Sequence, residues 1–218
     1  GRIPSDLWRS FWPTDAPTPG PQMPLIKNSG IKIDNALSFQ PQMNALVGSC
    51  FGLLCLLKKK IPLLSTETKK TVTQALITSR LDYGNVLYLG LPEYLLNWLQ
   101  VVQNTAARIL LNLAPRTHMS SHLKALYWLP IKKRILYKTL GLVHKALHDK
   151  GAVYLRRRIG AYVPARNLRS AHGSLASIPK ISRARTGGRS CSYLGKLHGI
   201  IFLCDYGPYQ SCLSLGKN

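Results

Sequence analysis

Residues Thr78–Leu113 read TSRLDYGNVLYLGLPEYLLNWLQVVQNTAARILLNL, and the fold turns on this stretch. Two patterns of helical period meet across Gly90-Leu91-Pro92. In the second, Leu95, Leu96, Leu99, Val102, Ala106, Ile109, Leu110 and Leu113 recur at steps of three and four, the spacing of one buried helix face. Pro92 suits the first helical turn, where a missing N–H forfeits no bond. Ala106 and Ala107 leave room for a close neighbour, and Asn104 and Arg108 fall on the opposite face.

Upstream, Ser65 is placed to cap a helix reaching Tyr83, with Glu67 in its first turn and Val72, Leu76, Ser79 and Tyr83 along one face. Arg80 and Asp82 read there as a local ion pair or helix-end cap. Pro41–Lys60 predicts another helix, with a core stripe of Met43, Val47, Cys50, Leu54 and Leu57. Lys58, Lys59 and Lys60 close it, where positive charge complements the helix dipole and is also available to phosphate. Ile31-Lys32-Ile33 is a short strand expected to fray or to hairpin weakly with what precedes it. Residues 1–28 carry six prolines, which deny helix and sheet alike, so a disordered leader is expected.

Downstream, His118–Leu126 predicts a short helix, and Trp128-Leu129-Pro130 a hinge. Ile131–Asp149 predicts a long helix with Leu136, Leu140, Val143 and Leu147 as its core stripe. Lys132, Lys133, Arg134, Lys138 and Lys145 make it basic, and Arg134, Lys138 and Lys145 share a face. One further turn is expected at Tyr154–Arg158. Beyond it the chain is rich in Arg, Ser, Pro and Gly; Arg166 and Arg169 are suited to hold a phosphate backbone without reading sequence. The expected fold is mainly α: a small bundle of four to five helices over residues 29–150, followed by an irregular basic region over 151–198.

Charge narrows the partner. The 218 residues are 45% hydrophobic, enough for a core, yet carry 30 Lys and Arg against 8 Asp and Glu, a formal +22. Between Tyr94 and Cys204 the one acid is Asp149, against nineteen Lys and Arg. A merely solvated face mixes signs, and self-repulsion on this scale opposes compaction unless a polyanion is present. Nucleic acid is the first candidate. An anionic membrane surface is second, disfavoured because the helices lack a separate exposed aromatic–aliphatic face. Leu46–Leu57 is about half the ~20 residues a bilayer span requires.

Other chemistries find little support. Cys50, Cys55, Cys191, Cys204 and Cys212 form no CxxC pair and read as free thiols of a reducing, intracellular compartment. His118 and His122, like His144 and His148, have metal-ligand spacing but no third ligand placed beside them, so no metal or other cofactor is expected. There is no phosphate loop, nucleophile elbow or paired aspartate, hence no small-molecule substrate or enzyme activity is expected.

The blocks SRLDYGN, GLP, LQVVQNTAARIL, LKALYWLPIKKRILYKTLGLVHKALH and YVPARNLRS resemble, in this order, the region after the polymerase palm in LINE-type, non-LTR retrotransposon reverse transcriptases of the jockey-like group. The resemblance covers roughly residues 29–196. It implies a thumb-like helical module that grips RNA or an RNA/DNA duplex, with the metal-binding carboxylates of the polymerase lying in a palm this sequence does not carry. His118 falls in a family block, where a capping or packing role is expected. Residues 199–218 depart from the family, and a reading-frame shift near His198 would account for them. The alternative expectation is a translated remnant of a decayed element with no molecular function.

Overall fold

A computed structural model of the chain describes residues 25–60, 64–114, 116–148 and 150–159, together with Tyr193. The chain divides into two units, Gly1–Arg134 and Ile135–Asn218. The division falls inside a helix, earlier than the expected change of character near residue 150.

The first unit opens with a hairpin. Strand β1 (Leu25–Asn28) pairs antiparallel with β2 (Ile31–Asp34), and Asn28 faces Ile31 across a two-residue turn. Ser29 and Gly30 both have positive φ, 47° and 80°, as the tight turn matching strand twist requires. The expected leader boundary is therefore corrected: residues 25–28 are strand, and β2 finds its partner in them because the Ser-Gly pair supplies the turn. Asp34 then redirects the chain, accepting from the backbone N–H of Ser38 at 3.0 Å and of Phe39 at 2.9 Å.

Helix α1 (Gln40–Lys60) buries Met43, Val47, Cys50, Leu54 and Leu57, the predicted stripe, together with Phe51. Ser65 caps α2 (Thr66–Thr73) by accepting from the Thr68 N–H. The helical path continues through a π turn at Gln74–Thr78 into α3 (Ser79–Asp82). Here the face differs from the expected one. Thr73, Ile77, Thr78 and Leu81 are buried, whereas Leu76, Ser79 and Tyr83 are exposed. Steps of four drift by about 40° in an ideal α-helix, and the wider π turn absorbs that drift, keeping Thr73, Ile77 and Leu81 inward.

Gly84, at φ 63°, turns the chain into a 3-10 turn at Asn85–Tyr88. The Tyr88 ring is fully buried and meets Phe39 edge-on at 6.1 Å. Helix α4 (Glu93–Leu111) follows, with Pro92 at its N-cap position, just before the first turn, and is ended by Asn112 in the left-handed region that Asn tolerates. It buries Leu95, Leu96, Leu99, Val102, Ala106 and Leu110 as predicted, with Trp98, Gln103, Thr105 and Ala107. Ile109 and Leu113, at the stripe's edge, are half-buried. Helix α1 packs chiefly on α4. Each fully buried Leu, Val or Met on those faces contributes about 1.5–3 kcal/mol relative to exposure. Ala107 packs with Met119, which precedes the next short helix, α5 (Ser120–Ala125), and with Leu123 within it, where Leu113, Leu126 and Trp128 join the cluster. The small Ala side chains permit this approach, as the sequence implies.

Helix α6 (Ile131–Leu147) crosses the division between units. Its buried residues are Ile131, Ile135, Thr139, Val143 and Ala146, while Leu136, Leu140 and Leu147 are half-buried, so the core stripe is displaced from the expected one. Two apolar rows run side by side on this helix. Thr139 can occupy the inner row because its hydroxyl donates to the Ile135 carbonyl at 2.9 Å. In the second unit Val143 and Ala146 pack with Ile159, flanked by Leu147 and by Leu155 of α7 (Val153–Arg158), the further turn expected from the sequence. The architecture is mainly α with one hairpin. Among the described residues no helix is long and apolar enough to cross a membrane.

Candidate nucleic-acid interface

Within the first unit the SRLDYGN block works as a joint, its side chains reaching α1, the start of α6 and the hairpin. Arg80 donates to the Ser49 hydroxyl on α1. The Asp82 carboxylate accepts from Arg134 Nη1 with both oxygens at 3.1 Å, and from Asn85 Nδ2 at 3.4 Å. The Tyr83 hydroxyl donates to the Ser29 carbonyl in the hairpin turn at 2.6 Å. Gly84 lies against Ile31: a Cβ there would stand 2.5 Å from Ile31 Cδ1. The expected local pair of Arg80 with Asp82 is thus replaced by two long-range contacts. Side chains on a short terminal turn are free to reach across the fold, and Asp82 meets a cation 52 residues on.

A second set of bonds positions the start of α6. Gln103 is buried and donates to the Leu129 carbonyl at 2.9 Å. Gln100 accepts from the Ile131 N–H at 2.9 Å, satisfying one of the first-turn donors that a helix leaves open. Gln100 Nε2 in turn donates to Gln103 Oε1 and Asn104 Oδ1, both at 2.9 Å. The Trp128–Pro130 hinge is therefore held at its second residue and at its exit. Sequence reading passed over both glutamines, since neither fits an apolar stripe or a charged motif. A polar residue one turn from another on a buried helix was the available signal.

This arrangement concentrates positive charge. The first turn of α6 carries Lys132, Lys133 and Arg134 and no acid, so three cations sit at the end where the helix dipole is already positive. Glu93 pairs with Lys132 and Asp82 with Arg134. The Arg134 side chain is only 14% exposed, so it ties the fold instead of joining an open ridge. Lys133 is exposed. Lys58, Lys59 and Lys60 are exposed at the last turn of α1, where the dipole favours them. Residues 25–134 hold four acids, and each is engaged: Asp34 by backbone N–H groups, Glu67 by Lys70, Asp82 and Glu93 as described. In the second unit Lys145 is exposed and Lys138 half-buried. Arg166, Arg169 and residues 1–24 and 199–218 lie outside the described residues.

Burial pushes the Asp34 carboxyl up, but the donors of Ser38 and Phe39 together outweigh it and hold the group below its ordinary value. Burial pushes the Cys50 thiol up to about 11, against a smaller opposing pull from Arg80. His144 and His148 rings stand 4.2 Å apart, and His144 is held below its ordinary value by burial and then by the positive charge of His148 and Lys150. His118 is exposed, and α5 begins after Met119 without a side-chain cap, so the expected capping or packing role of His118 is not realised. Among the described residues no three His, Cys, Asp or Glu side chains converge as metal ligands would.

Family models, curated proteins and solved structures were compared with the chain, and none matches it.

Proposed function

We propose that the chain is a nucleic-acid-binding module, a thumb-like helical region that holds RNA or an RNA/DNA duplex through its phosphates. One observation carries this reading. The four acids of residues 25–134 are already engaged, while Lys58, Lys59, Lys60 and Lys133 remain exposed at two helix ends. Such lysines gain most from a partner that is itself a line of negative charge, and they place no hydrogen-bonding fork against a base edge. The order of the sequence blocks shared with non-LTR reverse transcriptases supports the same reading.

A salt titration tests it. The affinity of the 218-residue protein for a labelled RNA/DNA hybrid should fall linearly in log–log form, with a slope of about −0.7 to −0.9 per phosphate contacted. Replacing Lys58, Lys59 and Lys60 together by Ala should lower the slope by up to about 3 × 0.8, with at most a modest drop in the unfolding midpoint from the lost helix-dipole interaction. A salt-independent affinity, or a triple variant with an unchanged slope, would refute the proposal.

A further inference from the structure

Five non-glycine residues among those described have positive φ: Ser29, Leu37, Phe39, Asn112 and Tyr127. Four are accounted for by the fold. Ser29 forms the hairpin turn, Leu37 and Phe39 belong to the turn closed on Asp34, and Asn112 caps α4. Tyr127 differs. It ends α5 in a Schellman arrangement: the Trp128 N–H donates to the Leu123 carbonyl at 2.9 Å and the Tyr127 N–H to the Lys124 carbonyl at 3.0 Å. Trp128 packs back on the cluster that holds Leu123, in keeping with the hydrophobic contact that accompanies such caps. The residue at the left-handed position, φ 55°, is usually Gly, because any Cβ is strained there. This chain places a tyrosine there and leaves it 93% exposed. The ring thus returns no burial for the backbone strain it brings. Tyr137 and Tyr154 are also exposed, but on ordinary helical backbone, where exposure asks for no such explanation.

The surroundings give the ring a use. Lys124 lies three residues before it and is exposed; Lys132, paired with Glu93, and Lys133 follow five and six residues after it and are exposed. Five residues of extended chain span at most about 18 Å, so ring and lysines lie within a few nucleotides' reach of one another. The Gln103–Leu129 and Gln100–Ile131 bonds fix the intervening hinge, so it is tied at Leu129 and Ile131 to the same helix. An aromatic face next to cations is the combination that holds a single strand: the base stacks while the neighbouring phosphates meet lysine.

We infer that Tyr127 is a stacking site for an unpaired base of a single-stranded RNA or DNA segment, with Lys124 and Lys133 holding the flanking phosphates. This rests on the nucleic-acid reading above and adds to it a preference for a strand with free bases.

The test compares wild type with Tyr127→Gly and Tyr127→Phe in the full chain. The probes are a labelled single strand about 12 nucleotides long and a blunt duplex of several hundred base pairs, whose ends are negligible. Tyr127→Gly suits the left-handed backbone, so its unfolding temperature should equal or exceed that of wild type. Its affinity for the single strand should nevertheless fall roughly 5- to 100-fold, with duplex affinity unchanged. Tyr127→Phe should retain single-strand affinity, because the face and not the hydroxyl makes the contact. Equal single-strand affinity of Tyr127→Gly and wild type overturns the inference while leaving the phosphate reading standing, as does an equal loss on both probes. Absence of binding to either probe by wild type at low salt overturns both.

Discussion

The sharpest consequence of the structure concerns Arg134, which the sequence places on a phosphate-facing ridge and the fold assigns to Asp82. At 3.1 Å the gross attraction of the two charges is about 5 kcal/mol at an effective dielectric of about 20. Their side chains are 14% and 29% exposed, so much of that attraction is offset by lost hydration. Truncating one partner leaves the other half-buried without its counter-charge. The expected loss lies between the ~1 kcal/mol ceiling of exposed pairs and the ~3–5 kcal/mol of buried ones, about 2–3 kcal/mol. Asp82→Ala, Arg134→Met and the double variant form a cycle whose coupling energy should exceed about 1 kcal/mol. Equilibrium urea unfolding reads it as a shift in midpoint at constant slope. In the salt titration Arg134→Met should leave the slope where it is, whereas Lys133→Met should lower it by about 0.7–0.9 with little effect on stability. The reasoning fails if Arg134→Met leaves the urea midpoint unmoved and lowers the salt slope by about one, because Arg134 would then be a phosphate ligand held only incidentally by Asp82.

Three further outcomes follow from named contacts. Cys50 is buried with its thiol raised to about 11, so near pH 8 it should react with a thiol reagent far more slowly than the half-buried Cys55; peptide mapping showing equal labelling would contradict its packing. Asp34 has a folded-state carboxyl below its ordinary value of 3.8, so its contribution is fully present above that value and is lost as pH falls through the lower folded value; Asp34→Asn should flatten the acid limb of the stability curve, and an unchanged acid limb would show that the carboxyl titrates alike in the folded and unfolded chain. Gly84→Ala should destabilise by about 1–2 kcal/mol from the left-handed backbone, and by more as the buried Ile31 δ-methyl is displaced, whereas Gly30→Ala meets open space and should cost the backbone term of about 1–2 kcal/mol alone; equal midpoints for the two variants would show that Ile31 moves freely.

Much of the helical skeleton was legible before any tertiary contact was known. The α1 stripe from Met43 to Leu57 and the α4 stripe from Leu95 to Leu110 are set by apolar residues at helical spacing, and Ser65 and Pro92 by local backbone chemistry. These are short-range properties: a residue's face depends on neighbours three or four positions away. Two faces were misread for one reason. On α6, Ile135 and Leu136 offer adjacent apolar rows, and on the path through α2 and α3 a π turn changes which row stays inward, so packing partners made the choice. The roles of polar residues were least legible. Asp82 with Arg134, Gln103 with Leu129 and Arg80 with Ser49 join positions 52, 26 and 31 residues apart, and no periodicity links such pairs. Likewise the basic composition was plain from the chain, but which cations stay open was not. Charge is a property of the residue list, whereas exposure and partnership are set only when distant segments meet, and it is there that Lys58–Lys60 and Lys133 were left to solvent and Arg134 was taken into the fold.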